Sequence, residues 1–378
     1  MSVSPLDSVF SIANLATVFD DRIMDSVKVV GLGEVSHGTY EPMAFKVNMI
    51  KYLIEKKGYR KILLELSDFG SIRLMRRYLT DRNNRDTSYV QEWSKKNSLL
   101  AAPSASYKEL FGWAKQFNLD HPHDSIVIIG FDLGVEKSII NFILNSYIIP
   151  YSHQESLNLI NQFEQPISDA DKIGLIKLWY EKNKARLSTT LNDAEQYWLD
   201  LYIQNAIHGV DYLVKSSEAD AMNPMKGIHF RDSILAKNVV YLSASDKAII
   251  WAHNGHLIRG DVKFMGDYLN NYYRQKYYVI ATDFSKYAVA DVVTTSPENR
   301  DEKKITTKIF KSDQRTAASI MLRDFGISKG IFFSDELTNK NIPDYTNVID
   351  AGGLQLITSG THAFDALAVF DYIYSEKK

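Results

Sequence analysis

The sequence predicts an α/β fold: a largely parallel or mixed central sheet flanked by helices, with a large helical insertion. The first observation is a set of short, continuous, β-branched apolar runs, which are typical of strands covered on both faces. These runs lie at residues 28–34, 61–66, 125–132, 247–254 and 277–283. The second observation is residues 41–58, which place apolar side chains at helical spacing between Pro42 and Gly58. Strand, helix and strand in this order predict a βαβ unit.

The middle of the chain has a different pattern of secondary structure, because predicted helices follow one another there without an intervening strand. The longest begins at Asn192 and continues to about Ser216, with apolar residues on one face. We therefore predict that residues 1–134 form the first part of the α/β core and that residues 135–245 form a helical insertion that roofs a cleft. Residues 246–378 then complete the core and include a hairpin at 284–313 with a charged tip.

Composition restricts the class of protein. The 378 residues are 45% hydrophobic and 24% charged, which excludes a disordered or fibrous chain. There is no cysteine, so disulfides, thiolate nucleophiles and Cys-ligated zinc are excluded. The formal net charge of −2 provides no field that would attract nucleic acid or an anionic membrane. No signal peptide and no run of about 18 apolar residues is visible, so we expect a cytoplasmic protein without a membrane or nucleic-acid partner.

Ionisable side chains fall at the carboxyl end of each strong apolar run. Ligands of open α/β sheets bind beyond the carboxyl ends of the strands, so these side chains predict one converging site. In chain order they are Glu34 and His37, Glu65, Asp132, His253 and His256, and Asp283.

Each of these positions also has a structural interpretation. The glycines before Glu34 could form a tight turn, and Glu65 could belong to a structural ion pair. Asp132 could cap the helix that we expect near residue 135, and Arg231 could serve in capping and an ion pair. These alternatives stay open at the level of sequence.

The residue types at this edge support two kinds of chemistry. A histidine beside a carboxylate can act as a general base on water, and a second pair of imidazoles can donate hydrogen bonds to an oxyanion. Alternatively, His37, His253, His256 and Glu65 offer the nitrogen and oxygen ligands that zinc, manganese or iron accepts. Motifs for dinucleotide binding, phosphate binding, serine hydrolysis and zinc peptidases are absent from the sequence.

Several of these residues lie in motifs that resemble those of the erythromycin esterase-like hydrolases. The resemblance covers about residues 29–374, and its most specific parts are a Gly-Glu-x-x-His-Gly segment at 33–38 and a Trp-Ala-His-Asn-x-His segment at 251–256. Further matches are Glu65, Gly130-Phe131-Asp132, Arg231-Asp232 with Ala236 and Asn238, Met265-Gly266, and Phe364-Asp365-Ala366-Leu367. Two positions depart from the family pattern: Ser36 replaces a threonine and Lys46 replaces an arginine.

The resemblance implies an α/β core, a helical insertion and a deep cleft, with hydrolysis of a macrolide lactone in the namesake members. Carried over to this chain, it implies that His37 is the general base. It also implies that Glu34, Glu65, His253 and His256 are its catalytic partners. We further expect Lys46, Arg231 and Asp132 to contact the substrate.

The leading hypothesis is therefore a hydrolase that cleaves an ester with His-activated water, without a required cofactor. A macrolide lactone is one candidate substrate, which would connect the protein to antibiotic resistance or natural-product metabolism. One alternative is a hydrolase of a peptide, amide or other ester that depends on a divalent metal. The other is a non-catalytic protein that binds a small ligand such as haem.

Overall fold

A mixed sheet organises the protein, as seen in a computed structural model. The structure describes residues 10–68, 71–86, 88–90, 104–134, 137–151, 153–244, 246–260, 263–295, 303–350, 353–357 and 362–376. The strands within these ranges are β1 Val29–Glu34, β2 Lys61–Ser67, β3 Val127–Asp132, β4 Ala248–His253, β5 Tyr277–Thr295, β6 Lys303–Lys311, β7 Lys329–Phe333, β8 Thr346–Asp350, β9 Gly353–Ile357 and β10 Ala366–Ile373.

The strand order confirms the predicted fold class. Across the described residues the main sheet has the order β3-β2-β4-β1-β5-β10-β7, with β6 paired to β5. Strand β1 is parallel to β4 and β5, β2 is parallel to β4, and β10 is parallel to β5. The pairs β10·β7 and β5·β6 are antiparallel, and β8 and β9 form a separate antiparallel hairpin. In the central pair, Glu34 lies directly opposite His253.

Helices connect these strands, and two of them begin or end at the residues that the sequence indicates. The helices are α1 Ile12–Phe19, α2 Tyr40–Lys57, α3 Ser71–Thr80, α4 Ala105–Asp120, α5 Lys137–Ile143, α6 His153–Phe163, α7 Asp169–Thr190, α8 Asp193–Ser217, α9 Lys226–Leu242, α10 Asn254–Leu257, α11 Met265–Tyr273, α12 Ala317–Phe325 and α13 Ser334–Asn339. A π-helical turn, Leu144–Ile148, and a short turn, Ile149–Tyr151, follow α5, and a 3₁₀ turn, Arg274–Lys276, follows α11. Helix α2 ends at Gly58, whose φ of 72° suits a residue without a Cβ. Helix α8 begins after Asn192, which forms a capping box with Glu195.

The chain divides into two units. The first comprises the described residues within 1–65, 74–129 and 239–378, and it contains most of the sheet. The second comprises residues 66–73 and 130–238. Between β3 and β4 the described residues form helices and no strand, as the sequence predicts.

Within the second unit, helices α5 to α8 surround an apolar core that includes Ile143, Trp179, Leu199 and Tyr202. That the segment 135–245 roofs a cleft stays a prediction. None of the helices in the described ranges combines the length and apolar character that a membrane span needs.

Strand β5 is longer than predicted. It continues through Asp283 to Thr295, so the expected hairpin is the outer half of one long strand paired with β6, and its charged tip lies outside the described residues. The expectation that the strand ends at Asp283 is wrong. Its carboxylate is accommodated inside the strand because it accepts hydrogen bonds from the Phe284 N–H at 2.8 Å and from Asn347 Nδ2 at 2.9 Å. Burial raises the pKa of Asp283 to about 7.

Gly33 lies within strand β1 and not in a tight turn, which excludes that interpretation of the glycines. A Cβ at this position would lie 2.2 Å from Oδ1 of Asn254. The Asn254 amide occupies that space because it joins the end of β4 to β5: its Nδ2 donates to the Thr282 carbonyl at 2.7 Å and its Oδ1 accepts the Thr282 N–H at 3.3 Å. Close packing, not backbone freedom, therefore requires glycine here.

We predict that Gly33→Ala lowers the free energy of unfolding by about 1–3 kcal/mol, because the new methyl displaces the buried Asn254 amide. Urea denaturation followed by circular dichroism measures this change. The matched control is Gly112→Ala in helix α4, where a Cβ would have no neighbour within 4 Å. That substitution should be neutral or slightly stabilising, because alanine favours helix. Equal effects of the two substitutions would contradict the packing argument.

Candidate functional site

Glu34 is a fully buried carboxylate at the end of β1, and both of its oxygens are engaged. Oε1 lies 2.5 Å from Nδ1 of His37. Oε2 accepts hydrogen bonds from Nζ of Lys46 and from Nε1 of Trp251, each at 2.7 Å. Burial by itself would raise the pKa of Glu34, but Lys46 and His37 outweigh it and hold the pKa at about 2. The carboxylate is therefore ionised at neutral pH.

Lys46 projects from helix α2 and has no exposed surface. Its ammonium group lies 4.3 Å from the centre of the Trp251 ring and 3.4 Å from the Ala252 carbonyl oxygen. Burial lowers the pKa of Lys46 to about 8, although the charge of Glu34 acts in the opposite direction. These contacts make Lys46 the counterion of Glu34. A contact between Lys46 and a substrate stays a prediction.

His37 follows β1, and 27% of its side chain is exposed. Because the carboxylate of Glu34 can only accept, Nδ1 of His37 carries the hydrogen in this pair. No described residue forms a hydrogen bond with Nε2 of the same ring. Burial lowers the pKa of His37, but the hydrogen bond and the charge of Glu34 prevail, so the pKa lies above its ordinary value of 6.5. His37 thus has an oriented ring with one open nitrogen.

His253 lies at the end of β4, and its pKa is shifted in the direction opposite to that of His37. Its ring centre lies 4.9 Å from that of His37. Burial, together with the neighbouring imidazoles of His37 and His256, lowers the pKa of His253 to about 3. Nε2 faces the carbonyl oxygens of Val35 and Ile349 at 3.2 and 3.3 Å, so its N–H is engaged with the backbone. The expected hydrogen bond from this ring to an oxyanion therefore does not fit the arrangement.

Glu65 connects the remaining histidine to the same cluster. Its Oε2 accepts the backbone N–H of His253 at 2.9 Å, and its Oε1 lies 3.2 Å from Nε2 of His256 in helix α10. Only 5% of Glu65 is exposed, so these contacts give both oxygens of a buried acid in strand β2 a polar partner. The first unit therefore brings together six of the predicted residues: Glu34, His37, Lys46, Glu65, His253 and His256.

Asp132 and Arg231 form their own ion pair in the second unit. Arg231 donates from Nε at 2.9 Å and from Nη2 at 2.5 Å to the two oxygens of Asp132. Asp132 also accepts the N–H of Leu133. This geometry matches the ion-pair interpretation of Arg231. That Asp132 caps the helix expected near residue 135 stays a prediction. The role of Asp132 and Arg231 in substrate binding stays a prediction as well.

Sequence reasoning missed several residues that shape the site. Trp251 lies inside an apolar run and reads as core, yet its indole N–H donates to Glu34. Asn254 stands in the Trp-Ala-His-Asn-x-His segment, which was a signal for its importance but not for its contact with β5. Strand β8 was not predicted at all, although it provides the Ile349 carbonyl.

A metal site needs several donor side chains that converge on one point. Across the described ranges, no group of three or more His, Asp and Glu side chains is placed so that it could hold a metal ion. Nδ1 of His37 and Nε2 of His253 already contact protein oxygens. Metal binding by His37, His253, His256 and Glu65 stays a prediction.

We predict that the pKa of His37 lies above, and that of His253 below, the ordinary value of a histidine. Glu34 stabilises the protonated form of His37, so this ring keeps its proton above pH 6.5. Desolvation disfavours the cation of His253, so this ring stays neutral throughout the neutral and mildly acidic range. Titration of protein labelled with ¹⁵N-histidine measures both rings, and His37→Gln and His253→Gln assign the signals. Two rings titrating together near the ordinary value would refute the described electrostatics.

Comparisons with known proteins agree with this fold. Three solved structures align with 97% of this chain: a Bacillus cereus protein (TM-score 0.72, 19% identity, 93% of that chain), a succinoglycan biosynthesis protein (0.71, 18%, 93%), and a variant of the erythromycin esterase EreC in its open conformation (0.69, 15%, 95%). At these identities the similarity shows the fold alone.

Sequence comparison identifies relatives more directly. YbfO of Bacillus subtilis (strain 168), which its name describes as a candidate hydrolase, is 23% identical over 345 residues, covering 80% of this chain and 74% of its own length. The sequence model of the erythromycin esterase family matches residues 54–329, well over half of the chain. The protein therefore belongs to the erythromycin esterase family.

Proposed function

We propose that this protein is a hydrolase that cleaves an ester with a water molecule activated by His37. The observation that carries the proposal is the pair formed by Glu34 and His37. A buried carboxylate, fixed by two other donors, holds Nδ1 of His37 at 2.5 Å, while Nε2 of the same ring has no partner among the described residues. Family membership and the names of YbfO and EreC support hydrolase chemistry.

The reaction follows from this pair. Nε2 of His37 takes one proton from a water molecule while the water oxygen bonds to the carbonyl carbon of the ester. Glu34 stabilises the imidazolium that forms, as a carboxylate does for the base of a catalytic triad. When the tetrahedral intermediate collapses, the bond to the leaving oxygen breaks and that oxygen takes the proton from His37. The products are a carboxylic acid and an alcohol, and His37 returns to its neutral form.

Lys46 and Trp251 make Glu34 suitable for this task. Their hydrogen bonds to Oε2 prevent the carboxylate from rotating away from His37, and the charge of Lys46 keeps the pKa of Glu34 at about 2. A carboxylate with so low a pKa leaves the abstracted proton on the imidazole, so it orients the base and does not become the base itself.

An ester is the substrate class that the family name favours, and a macrolide lactone is the first compound to examine. EreC is named as an erythromycin esterase, and its structure aligns along 97% of this chain. A lactone is an internal ester, so hydrolysis opens the ring and adds one water to the molecule. Simple esters and small peptides complete the set of candidates, because His-activated water also attacks amides, although more slowly.

We predict that His37→Ala reduces kcat/KM by about 10²–10⁴-fold, the contribution of a general base. The assay is mass spectrometry of macrolides, simple esters and small peptides, in which hydrolysis appears as the gain of one water. The matched control is His208→Ala, because His208 is 29% exposed and has a carboxylate, Asp211, three residues along the chain at 3.6 Å. Circular dichroism checks that both variants are folded. Full activity in His37→Ala, or an equal loss in both variants, would exclude His37 as the base.

We also predict that kcat/KM rises with pH through the raised pKa of His37, because only the neutral ring can accept a proton. Lys46 opposes protonation of His37, so Lys46→Met should move this rise to higher pH, whereas Lys46→Arg should leave it in place. The measurement is a pH–rate profile for each protein. Removal of one partner of a buried ion pair costs about 3–5 kcal/mol, so thermal unfolding must confirm that Lys46→Met is folded. If kcat/KM of folded Lys46→Met rises at the same pH as that of the wild-type protein, Lys46 does not influence the pKa of His37.

A further inference from the structure

A basic cavity lies at the edge of the main sheet where strands β1 and β5 begin. Its volume is about 940 Å³, and its lining includes Lys28, Arg274 and Lys276. Lys28 directly precedes β1, and Lys276 directly precedes β5. Glu34 lies at the other end of β1, six residues further along, which at about 3.3 Å per residue is a distance of about 20 Å. The basic cavity is therefore separate from the site around Glu34 and His37.

The sheet places two of the lysines side by side. The ladder of β1 and β5 continues one residue before both strands, because the backbone N–H of Lys28 donates to the Lys276 carbonyl oxygen at 2.8 Å. Lys28 and Lys276 are thus cross-strand neighbours that line one cavity. Like charges in neighbouring positions of a sheet repel and are destabilising, and an anion between them would remove that repulsion.

The three cations have no protein counterion in the part of the chain that the structure describes. None of their side chains takes part in an ion pair or a hydrogen bond there. Two acids that lie within two residues of the lining in sequence have other partners: Asp25 lies 3.9 Å from Lys247, and Asp246 lies 2.7 Å from Lys61. The positive charge of the basic cavity is therefore uncompensated by these acids.

Arg274 has a backbone conformation that glycine would adopt with less strain. It is the C-cap of helix α11, with φ at 51° and ψ at −125°. Residues with a Cβ rarely adopt so positive a φ, and helices commonly end in glycine for this reason. Strained residues cluster at ligand sites, where the need for a particular side chain outweighs the cost of the strain. The guanidinium of Arg274 in a basic cavity fits such a need.

We propose that the basic cavity binds a small anion that carries phosphate groups. Phosphate oxygens accept charge-assisted hydrogen bonds from lysine and arginine, and two or more negative charges suit three uncompensated cations. A volume of about 940 Å³ lies in the range of small-molecule sites. The formal net charge of −2 disfavours an extended polyanion such as nucleic acid, which needs a basic field over a larger surface.

Tyr272 distinguishes two sources of the phosphate. This tyrosine also lines the basic cavity and is 65% exposed. Its ring packs edge to face against Tyr273 at 4.8 Å, and the Tyr273 hydroxyl lies 2.7 Å from Oγ of Ser243. The exposed ring of Tyr272 can stack on a flat ring. A nucleotide would therefore use both the cations and Tyr272, whereas an inorganic phosphate would use the cations alone.

Isothermal titration calorimetry of the full chain at low ionic strength tests the inference with inorganic pyrophosphate, ADP and adenosine. We expect pyrophosphate and ADP to bind, with affinities that fall as salt is added, and adenosine not to bind. ADP that binds more tightly than pyrophosphate to the wild-type protein, but not to Tyr272→Ala, would identify a nucleotide as the source. Equal affinities in both proteins would identify an inorganic anion.

Charge-removing variants assign the binding to the basic cavity. Lys28→Gln and Lys276→Gln should each weaken binding about two- to fivefold, and the double variant about tenfold. The matched control is Lys308→Gln, because Lys308 is an exposed lysine of β6 without a partner among the described residues. It should bind like the wild-type protein. Absence of binding by both pyrophosphate and ADP, or equal effects of the control and the double variant, would overturn the inference.

Arg274→Gly separates backbone strain from binding. Glycine accepts the φ of 51° at little cost, so we expect the unfolding temperature to rise while binding weakens about two- to fivefold. Arg274→Lys keeps the charge and the strain, so it should bind more tightly than Arg274→Gly without the gain in stability. A folded Arg274→Gly that binds both phosphates as tightly as the wild-type protein would contradict the role of Arg274. Because no measurement here uses hydrolysis, failure of this inference would leave the proposed role of His37 unchanged.

Discussion

The buried ion pair between Glu34 and Lys46 is the contact that connects the fold to the chemistry. An isolated carboxylate in the protein interior costs several kcal/mol of free energy, so Glu34 requires partners that are already in place when the chain folds. Lys46 comes from helix α2, Trp251 comes from the neighbouring strand β4, and His37 follows β1 itself. The βαβ unit and the pairing of β1 with β4 are thus preconditions for an ionised Glu34. Because Glu34 in turn holds Nδ1 of His37, the orientation of the proposed base depends on this pair as well.

Two histidines that look alike in sequence are given opposite properties by their acceptors. His37 faces a carboxylate, which favours its cation, whereas His253 faces two neutral carbonyls in a buried position, which do not compensate for desolvation. Both rings are oriented through one nitrogen, and no hydrogen bond from a described residue reaches the other. The difference in charge arises from what accepts the first hydrogen, and not from the residue type.

The sequence could predict the sheet, helix α2, helix α8 and the meeting of Glu34 with His253, because parallel strands place their carboxyl ends at one edge. It could not predict contacts that depend on the approach of distant segments. Asn254 excludes a side chain at Gly33 only because β5 lies beside it, and Trp251 becomes a donor only because Glu34 lies on the adjacent strand. The full length of β5 could likewise not be predicted. Asp283 fits inside a strand only where Asn347 and the backbone N–H of Phe284 donate hydrogen bonds to its carboxylate.

The β8–β9 hairpin contacts His253 through its main chain and not through a side chain. The Ile349 carbonyl contacts the ring, and the Ile349 N–H donates to the Val35 carbonyl, which contacts the same ring nitrogen. Every residue except proline supplies both of these main-chain groups. Side chains along the hairpin can therefore change without altering the protonation of the imidazole, provided the backbone path is kept. Evolution can then vary the chemical surface beside the two histidines independently of the histidines themselves.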